Sequence, residues 1–494
     1  MWVFGDQLNR SIASLADARP DDTRVLLVES EAILRSRPWH LQRAHLVVTA
    51  MRRFARALAT AGFAVDHRRA PTLAEGLEAH RRAWRPHEVV AMEPMSHGGR
   101  RLLRELGVRA VPNDQFLCSE DEFRAWAASR PGRLRMEDFY RWQRVRHGVL
   151  TDGGHPVGGR WNFDADNREP PPRDGRTWPE PVRSRLDDLD REVLDDLRRF
   201  PNLWGRAPDG LWPTSRRAAL VRLRRFVDEA LPRFGPHEDA MLHDEWRLAH
   251  SLLSPALNLG LLHPREVVAA AEEAYRAGRV PIASAEGFVR QVLGWREYVM
   301  GLYRLWMPAY REANALDAHR GLPPLFRSGS TRMRCVARTL EGVRERAWVH
   351  HIERLMVLGN LALLTGVRPV ELVEWMWASF VDGAEWVMVP NVVGMALHAD
   401  GGRMATKPYA AGGAYLNRMS DHCRRCEFDP TARTGAQACP FTTLYWDFLA
   451  RHRDRFAANH RMANQLAALR RLRDLDAVRE RAREVLARLD AGQL

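Results

Sequence analysis

At 494 residues the chain exceeds what one ordinary core holds, so two or more domains are expected. A hydrophobic content of 45% suits globular folding, and no long charge-free apolar run is present to cross a membrane. The net charge of +13, nearly all from arginine, suits a polyanion such as nucleic acid, although an Arg- and Ala-rich composition alone gives the same balance.

The first residues, MWVFGDQL, have no basic stretch leading into an apolar one, so no secretion signal is expected and the chain reads as cytoplasmic, with reduced thiols. Residues 1–8 read as a short buried strand ending at Gly5, Asp6 and Gln7. Val25–Glu29 and Val89–Met92 are two further apolar runs, with helix-like segments between them, notably Gln42–Thr60. Strands alternating with helices predict a parallel, Rossmann-like α/β sheet, which binds ligands beyond the carboxyl ends of its strands. Asp6, Glu29 and Glu93 fall at such ends. Cys118 reads as a small buried residue.

From about 131 to 214 the pattern loosens. Residues 153–175 are rich in Gly, Pro, Asp and Asn, which marks an interdomain connection. From 215 to 494 the chain reads as helical: Arg216–Leu231 and Pro264–Ala277 carry apolar residues at three- and four-residue spacing. Between them Ser251-Leu252-Leu253-Ser254-Pro255 reads as a helix cap or a phosphate cradle. Glu286–Tyr298 reads as an amphipathic helix with Phe288, Val292 and Trp295 inside. Ala347–Leu364 is apolar around its circumference and reads as one buried helix carrying two adjacent histidines, His350 and His351. Trp375, Trp377 and Trp386 follow, then an Arg-rich tail that reads as a solvated helix.

The densest chemistry lies at 407–446. Cys423 and Cys426 form a C-x-x-C, and Cys439 follows after twelve intervening residues, directly before Pro440. Three thiolates need a fourth ligand for a tetrahedral centre, and Cys335 lies in the same half of the chain. The spacing favours metal over disulfide; structural zinc and an iron–sulfur cluster both remain open.

KPY, GAYLNRMSDHC, CRRC, ACPF and LYWDFL resemble the C-terminal signature of the iron–sulfur bacterial cryptochromes and (6-4) photolyases. The resemblance extends over nearly the whole chain through FGDQL, HLQRAHLVVTAMRRFA, WNFD, S-x-x-S-P and F-V-R-Q-x-x-x-W-R-E. It implies an N-terminal α/β domain (1–130), a linker (131–214) and an all-α FAD-binding domain (215–494). FAD would be held by Ser251, Leu252, Leu253, Ser254, Asn258, Glu286, Gln291, Trp295, Arg296, Asp382 and Asn391. A 4Fe-4S cluster would be held by Cys335, Cys423, Cys426 and Cys439. Gly5, Asp6, Gln7, Glu29 and His45 would line a lumazine antenna, 6,7-dimethyl-8-ribityllumazine. His350 and His351 would face the lesion, with His351 as proton donor; Arg168 and Tyr409 would touch the damaged DNA, and Trp375 would pass electrons.

The implied function is light-driven repair of UV-damaged DNA by a monomeric flavoenzyme. A photosensory cryptochrome and a zinc-stabilised DNA-binding protein are the alternatives. Three positions depart from the family pattern: Arg327 and Met376 stand where members carry Trp and Tyr, and Met388 stands where they carry Glu. Neither Arg nor Met carries an electron hole well, so the usual photoreduction route is expected to be cut or redirected.

Overall fold

The computed structural model describes residues 1–494. Strands β1 (Arg24–Ser30) and β2 (Ala64–Ala70) pair in parallel, with Arg24 opposite Ala64 and Ser30 opposite Ala70. Strands β3 (Val90–Met92) and β4 (Arg109–Val111) pair in the same sense. Trp2 bridges Leu26 on one side and Ala91 on the other, joining the two pairs into one parallel layer. The expected strand over residues 1–8 is thus reduced to its first residues. Beyond them the chain turns away, and the Leu8 N–H donates to the Leu259 carbonyl of the helical region at 2.8 Å.

β1 is buried from Val25 to Ser30, as a strand covered on both faces should be. The helix Leu41–Thr60 is the crossover between β1 and β2, and buries Leu46, Ala50 and Leu58. One sheet face packs on a small cluster that includes Leu26, Val28, Leu77 and Leu103. Val3, Val25, Leu27 and Leu46 belong instead to the main core, a cluster of 110 buried residues that runs on into the helical region. The two regions therefore share one interior.

The span 131–214 holds more regular structure than its composition predicts. Met136–His147 and Asp188–Leu197 are helices, and a two-residue hairpin pairs Thr151–Asp152 with His155–Pro156. Asp187 opens the second helix with a capping box, and Leu189, Val193 and Leu197 pack on Ala44 and Val48 of the crossover helix. Asn167 is clamped between two glycines: a Cβ at Gly235 or at Gly287 would stand 2.6 Å from its side chain. Its Nδ2 donates to the Ala283 carbonyl at 3.0 Å, which fastens the linker to the helical region.

Four helices of the C-terminal region contain a π turn: Phe226–Ala230, Arg290–Arg296, Glu353–Gly359 and Asn391–Ala396. Such single wide turns recur at functional sites because they re-aim side chains within a helix. The buried helix expected from Ala347 starts later. Ala347 is left-handed, with φ of 54°, and ends the preceding helix; Trp348 to His350 are non-helical, and helix resumes at His351. The two histidines therefore do not sit side by side on one helix. No helix of the chain is long and apolar enough to cross a membrane.

Candidate functional site

The S-x-x-S-P stretch folds tightly. Leu252 is left-handed, with φ of 55°, and the Leu253 N–H donates to Ser251 Oγ at 3.3 Å. The short helix Ser254–Asn258 follows. Its two polar side chains both reach Asp382: Ser254 Oγ donates to Oδ2 at 2.6 Å, and Asn258 Nδ2 donates to the carbonyl at 2.8 Å. Arg354 closes the group, with Nη1 at 2.9 Å from Asp382 Oδ1, and its guanidinium lies over Phe380 at 4.0 Å.

The α/β unit walls the same space. Gln115 Nε2 donates to the Asp6 carbonyl at 2.8 Å, while Gly260 leaves room for that amide, since a Cβ there would stand 2.6 Å from it. Phe116, beside Gln115, lies beneath the Arg296 guanidinium at 4.0 Å. Arg43 is close enough for its charge to interact with both Asp6 and Asp382. Asp6, Arg43, His250 and His351 are enclosed by protein and still accessible to water, so they line an interior cavity rather than a surface. Burial raises the Asp6 carboxyl to about 6 and lowers Arg43 to about 10.

The two histidines differ in surroundings. His350 is 1% exposed, stacked on His250 at 4.7 Å between ring centroids, with Nε2 at 3.5 Å from Glu353 Oε2; neither ring nitrogen has a hydrogen-bond partner. Burial drives both members of that pair to their neutral forms: His350 falls well below its usual value and Glu353 rises to about 7. His351 is exposed to the cavity. Burial within the protein, then the charges of Arg354 and His250, lower its ring to about 4, so it is neutral at pH 7.

Other expected residues fall in different places. Arg296 pairs with Glu297 at 2.8 Å and keeps Nε and Nη2 unpartnered. Trp295 packs edge-on to Tyr298, and Gln291 and Asn391 spend their amides on carbonyls of their own helices, Gly287 and Val387. Glu286 is fully buried and accepts from the Phe163 N–H at 2.8 Å, 3.6 Å from Arg290. It belongs to the network that seats the linker: Arg290 donates to Asp164 at 2.8 Å, and Asp164 also pairs with exposed Arg168. Asp164 and Arg168 act electrostatically on Tyr409, as does Asp239, so these residues share one mouth.

The antenna candidates bond or pack within the sheet unit and against the linker helix. Gly5 sits against the crossover helix, where a Cβ would stand 2.9 Å from Met51 Sδ. Gln7 Nε2 donates to the Met92 carbonyl at 3.0 Å. Glu29 is held by Arg52 at 2.8 and 2.9 Å and by His67 at 2.8 Å, and His45 Nε2 lies 3.3 Å from Asp190 Oδ1. Burial alone would raise Glu29, but the hydrogen bonds and charges of Arg52 and His67 outweigh it and hold the carboxyl at about 2.

The cysteines require a correction. Cys335, Cys423, Cys426 and Cys439 do converge on one apolar cavity of about 10 Å³, beside Met333, Leu416, Phe428 and Phe441. No group of three or more His, Cys, Asp or Glu is arranged to hold a metal ion, so the expected 4Fe-4S cluster and its zinc alternative are not supported. All five cysteines are free thiols. Burial raises the Cys335 thiol well above its usual value, Cys423 to about 12 and Cys439 to about 11, which keeps these three protonated, whereas a metal ligand must be a thiolate.

Trp375 donates Nε1 to the Phe326 carbonyl at 3.0 Å and packs edge-on to Phe326 and Phe380. Trp204 and Arg327 line the same small cavity as Trp375, while Met376 and Met388 are buried in the core. Arg43, His250, Arg354 and Asp239 are site residues that the sequence reading did not single out. Arg354 lies four residues after His350, and His250 directly precedes the S-x-x-S-P stretch; both proximities were available as signals.

Two solved structures share this architecture. A bacterial class III photolyase from Agrobacterium tumefaciens superposes with a TM-score of 0.60 at 16% identity, covering 99% of this chain and 97% of its own. A Synechocystis cryptochrome superposes with a TM-score of 0.57 at 15% identity, covering 85% and 88%. The fold is therefore that of photolyases and cryptochromes: a small parallel sheet unit followed by a large all-helical region. Residues 1–212 match the family described as deoxyribodipyrimidine photo-lyase-related protein. A protein of Agrobacterium fabrum named (6-4) photolyase is 41% identical over 486 residues, 95% of each chain. The chain belongs to the photolyase/cryptochrome family.

Proposed function

We propose that the chain is a light-dependent DNA-repair flavoenzyme of the (6-4) photolyase type. The observation that carries this is the match at 41% identity over 95% of both chains to a protein named (6-4) photolyase. The interior cavity supports it: both regions of the chain contribute to its walls.

The residues present fit FAD. The unpartnered Arg296 nitrogens supply donors and positive charge of the kind a pyrophosphate needs. Ser251, Ser254, Asn258, Asp382 and Arg354 form a rigid polar wall in which Asp382 is fixed by three neighbours. When bound, the flavin supplies light absorption and the electron; the protein supplies position and electrostatics.

The lesion base leaves the duplex and enters the cavity through the mouth at Arg168 and Tyr409. His351, the more exposed member of the histidine pair, is the proton donor, and His350 is stacked on His250 beside it. A ring neutral at pH 7 must gain its proton as the lesion arrives. The negative charge of a lesion phosphate beside His351 would raise its pKa and offset the repulsion of Arg354. Asp6 and Arg43 stand on the α/β side of the cavity. Residues 1–130 and 215–494 form the two sides of the cavity, and 131–214 closes over the lesion side.

The test is repair of (6-4) duplex DNA under blue light with reduced protein. Repair by the native chain, its loss in His351→Asn, and flavin retention in that variant support the reading. A flavin-loaded chain that leaves the lesion intact sinks it.

A cryptochrome reading is favoured by one observation, the interrupted aromatic route at Arg327 and Met376. It predicts that blue light with an external thiol reduces the bound flavin slowly or not at all. Restoring the carriers with Arg327→Trp and Met376→Tyr together would then accelerate reduction.

A further inference from the structure

Away from the interior cavity, an open groove of about 660 Å³ is lined by Arg124, Arg133, Arg403, Leu134, Leu305 and Trp306, among others, and by no acidic residue. Arg124 is tied to Glu120 at 2.7 Å. Arg403 holds its guanidinium over the Trp306 indole at 4.1 Å from the ring centroid, and Tyr310 packs on that indole at 4.8 Å.

The loop that presents Arg403 is locked. The Asp400 carboxylate accepts from the N–H groups of Gly402, Arg403 and Met404 at 2.8, 3.2 and 2.8 Å, and from Tyr310 Oη at 2.9 Å. Gly401 and Gly402 supply the left-handed backbone, with φ of 68° and 93°. Asp400 is also the acid whose charge acts on Arg133, so the carboxylate that could neutralise this groove is occupied by the turn. The groove is not isolated from the lesion mouth: Arg461 acts electrostatically on both Arg133 and Tyr409.

A flat aromatic surface, unneutralised guanidinium groups and the absence of acid suit one kind of ligand, a planar base carrying a phosphate. We infer that the groove holds an unpaired nucleotide of a DNA strand that runs past the lesion mouth, its base on the Trp306–Arg403 pair and its phosphates on Arg133 and Arg403. Proximity to the mouth through Arg461 favours a strand over a free nucleotide. The inference rests on the DNA-repair reading, and the two can fail separately.

The experiment measures binding of a fluorescein-labelled, undamaged eight-nucleotide oligo-dT by anisotropy in the dark, across a salt series. Trp306→Ala should weaken binding roughly 5- to 150-fold, the loss of one base stack, and Trp306→Phe should restore most of it. Arg133→Gln and Arg403→Gln should each reduce the slope of log K against log salt by about 0.7 for every phosphate that is no longer neutralised. These two arginines are exposed, so they test the groove even where Trp306→Ala fails to fold. Native affinity and native salt slope in both arginine variants overturn the inference. Adenosine monophosphate competing as tightly as the oligonucleotide overturns the strand assignment. If (6-4) duplex is repaired while the arginine variants bind oligo-dT normally, only the groove falls. If the groove binds oligo-dT as expected while no lesion is repaired, only the enzymatic reading falls.

Discussion

The polar residues of the sheet unit and those of the interior cavity are built on opposite plans. Around the carboxyl end of β1, Glu29, Arg52 and His67 neutralise one another, with Glu192 and Asp196 at 3.0 and 2.7 Å completing the Arg52 shell. In the cavity and directly behind it, His350 and Arg296 keep nitrogens without partners, and Asp6 and His351 sit at pKa values that burial has moved against their charged forms. The first group spends its hydrogen bonds on folding. The second holds them back, and unspent polar groups at buried positions are what a ligand or a reaction can use.

The comparison breaks if the two groups respond alike to substitution. The largest effect is expected at His351: His351→Asn should lower repair by about 10²- to 10⁴-fold, the range of a general acid, with the unfolding midpoint nearly unchanged. Equal loss of stability and repair would make it structural. Next, Arg52→Ala leaves the buried Glu29 with His67 as its one close partner, and should cost about 3 kcal/mol, the low end for a broken buried pair, in denaturant unfolding at pH 7 without changing repair per folded molecule.

The pH dependence sharpens the contrast, because the two carboxyls shift in opposite directions. Glu29 is held at about 2, below its ordinary 4.5. Its contribution is fully present above pH 4.5 and is lost as pH falls toward 2. Native protein should therefore lose stability in that window, and Glu29→Gln should flatten it. Asp6 is raised to about 6 from 3.8, so it costs stability as pH rises from 3.8 to 6, and the full cost persists above pH 6. Asp6→Asn should raise the melting temperature at pH 7.5 and leave it unchanged at pH 4. The smallest effect belongs to Asn258→Ala, which removes one hydrogen bond to Asp382 and should cost about 1 kcal/mol, with weaker flavin retention as its second readout.

Much of this arrangement was legible in the chain. β1, β3 and the helices Leu41–Thr60 and Pro264–Arg276 follow from apolar runs and helical spacing. β2 did not, because AVDHRRA is half exposed and its charged residues are spent on ion pairs, Asp66 with His80 and Arg68, and Arg69 with Asp196 of the linker helix. The helix Met136–His147 was lost within a polar, Gly- and Pro-rich neighbourhood; its buried Arg144 satisfies carbonyls at 149, 150 and 161 and looks like a surface residue in the sequence. The π turns leave no mark on periodicity, and the left-handed Ala347 that separates His350 from the helix of His351 carries no glycine to announce it. The cysteines teach the converse. Their spacing correctly brought four thiols to one place, but spacing reports proximity, and holding a metal requires ligand geometry and deprotonation as well.

The hydrogen bond from Leu8 to Leu259 ties the sheet unit to the turn that follows Asn258, and both sides rest on one continuous core. A molecule seated between those walls and larger than the mouth at Arg168 and Tyr409 can leave only if that shared core opens. Its residence time would be governed by partial unfolding of the protein rather than by diffusion from a pocket, and loading would occur as the two regions close on each other during folding. Flavin added to the finished apoprotein should exchange at the rate of that opening, with the steep temperature dependence of an unfolding reaction.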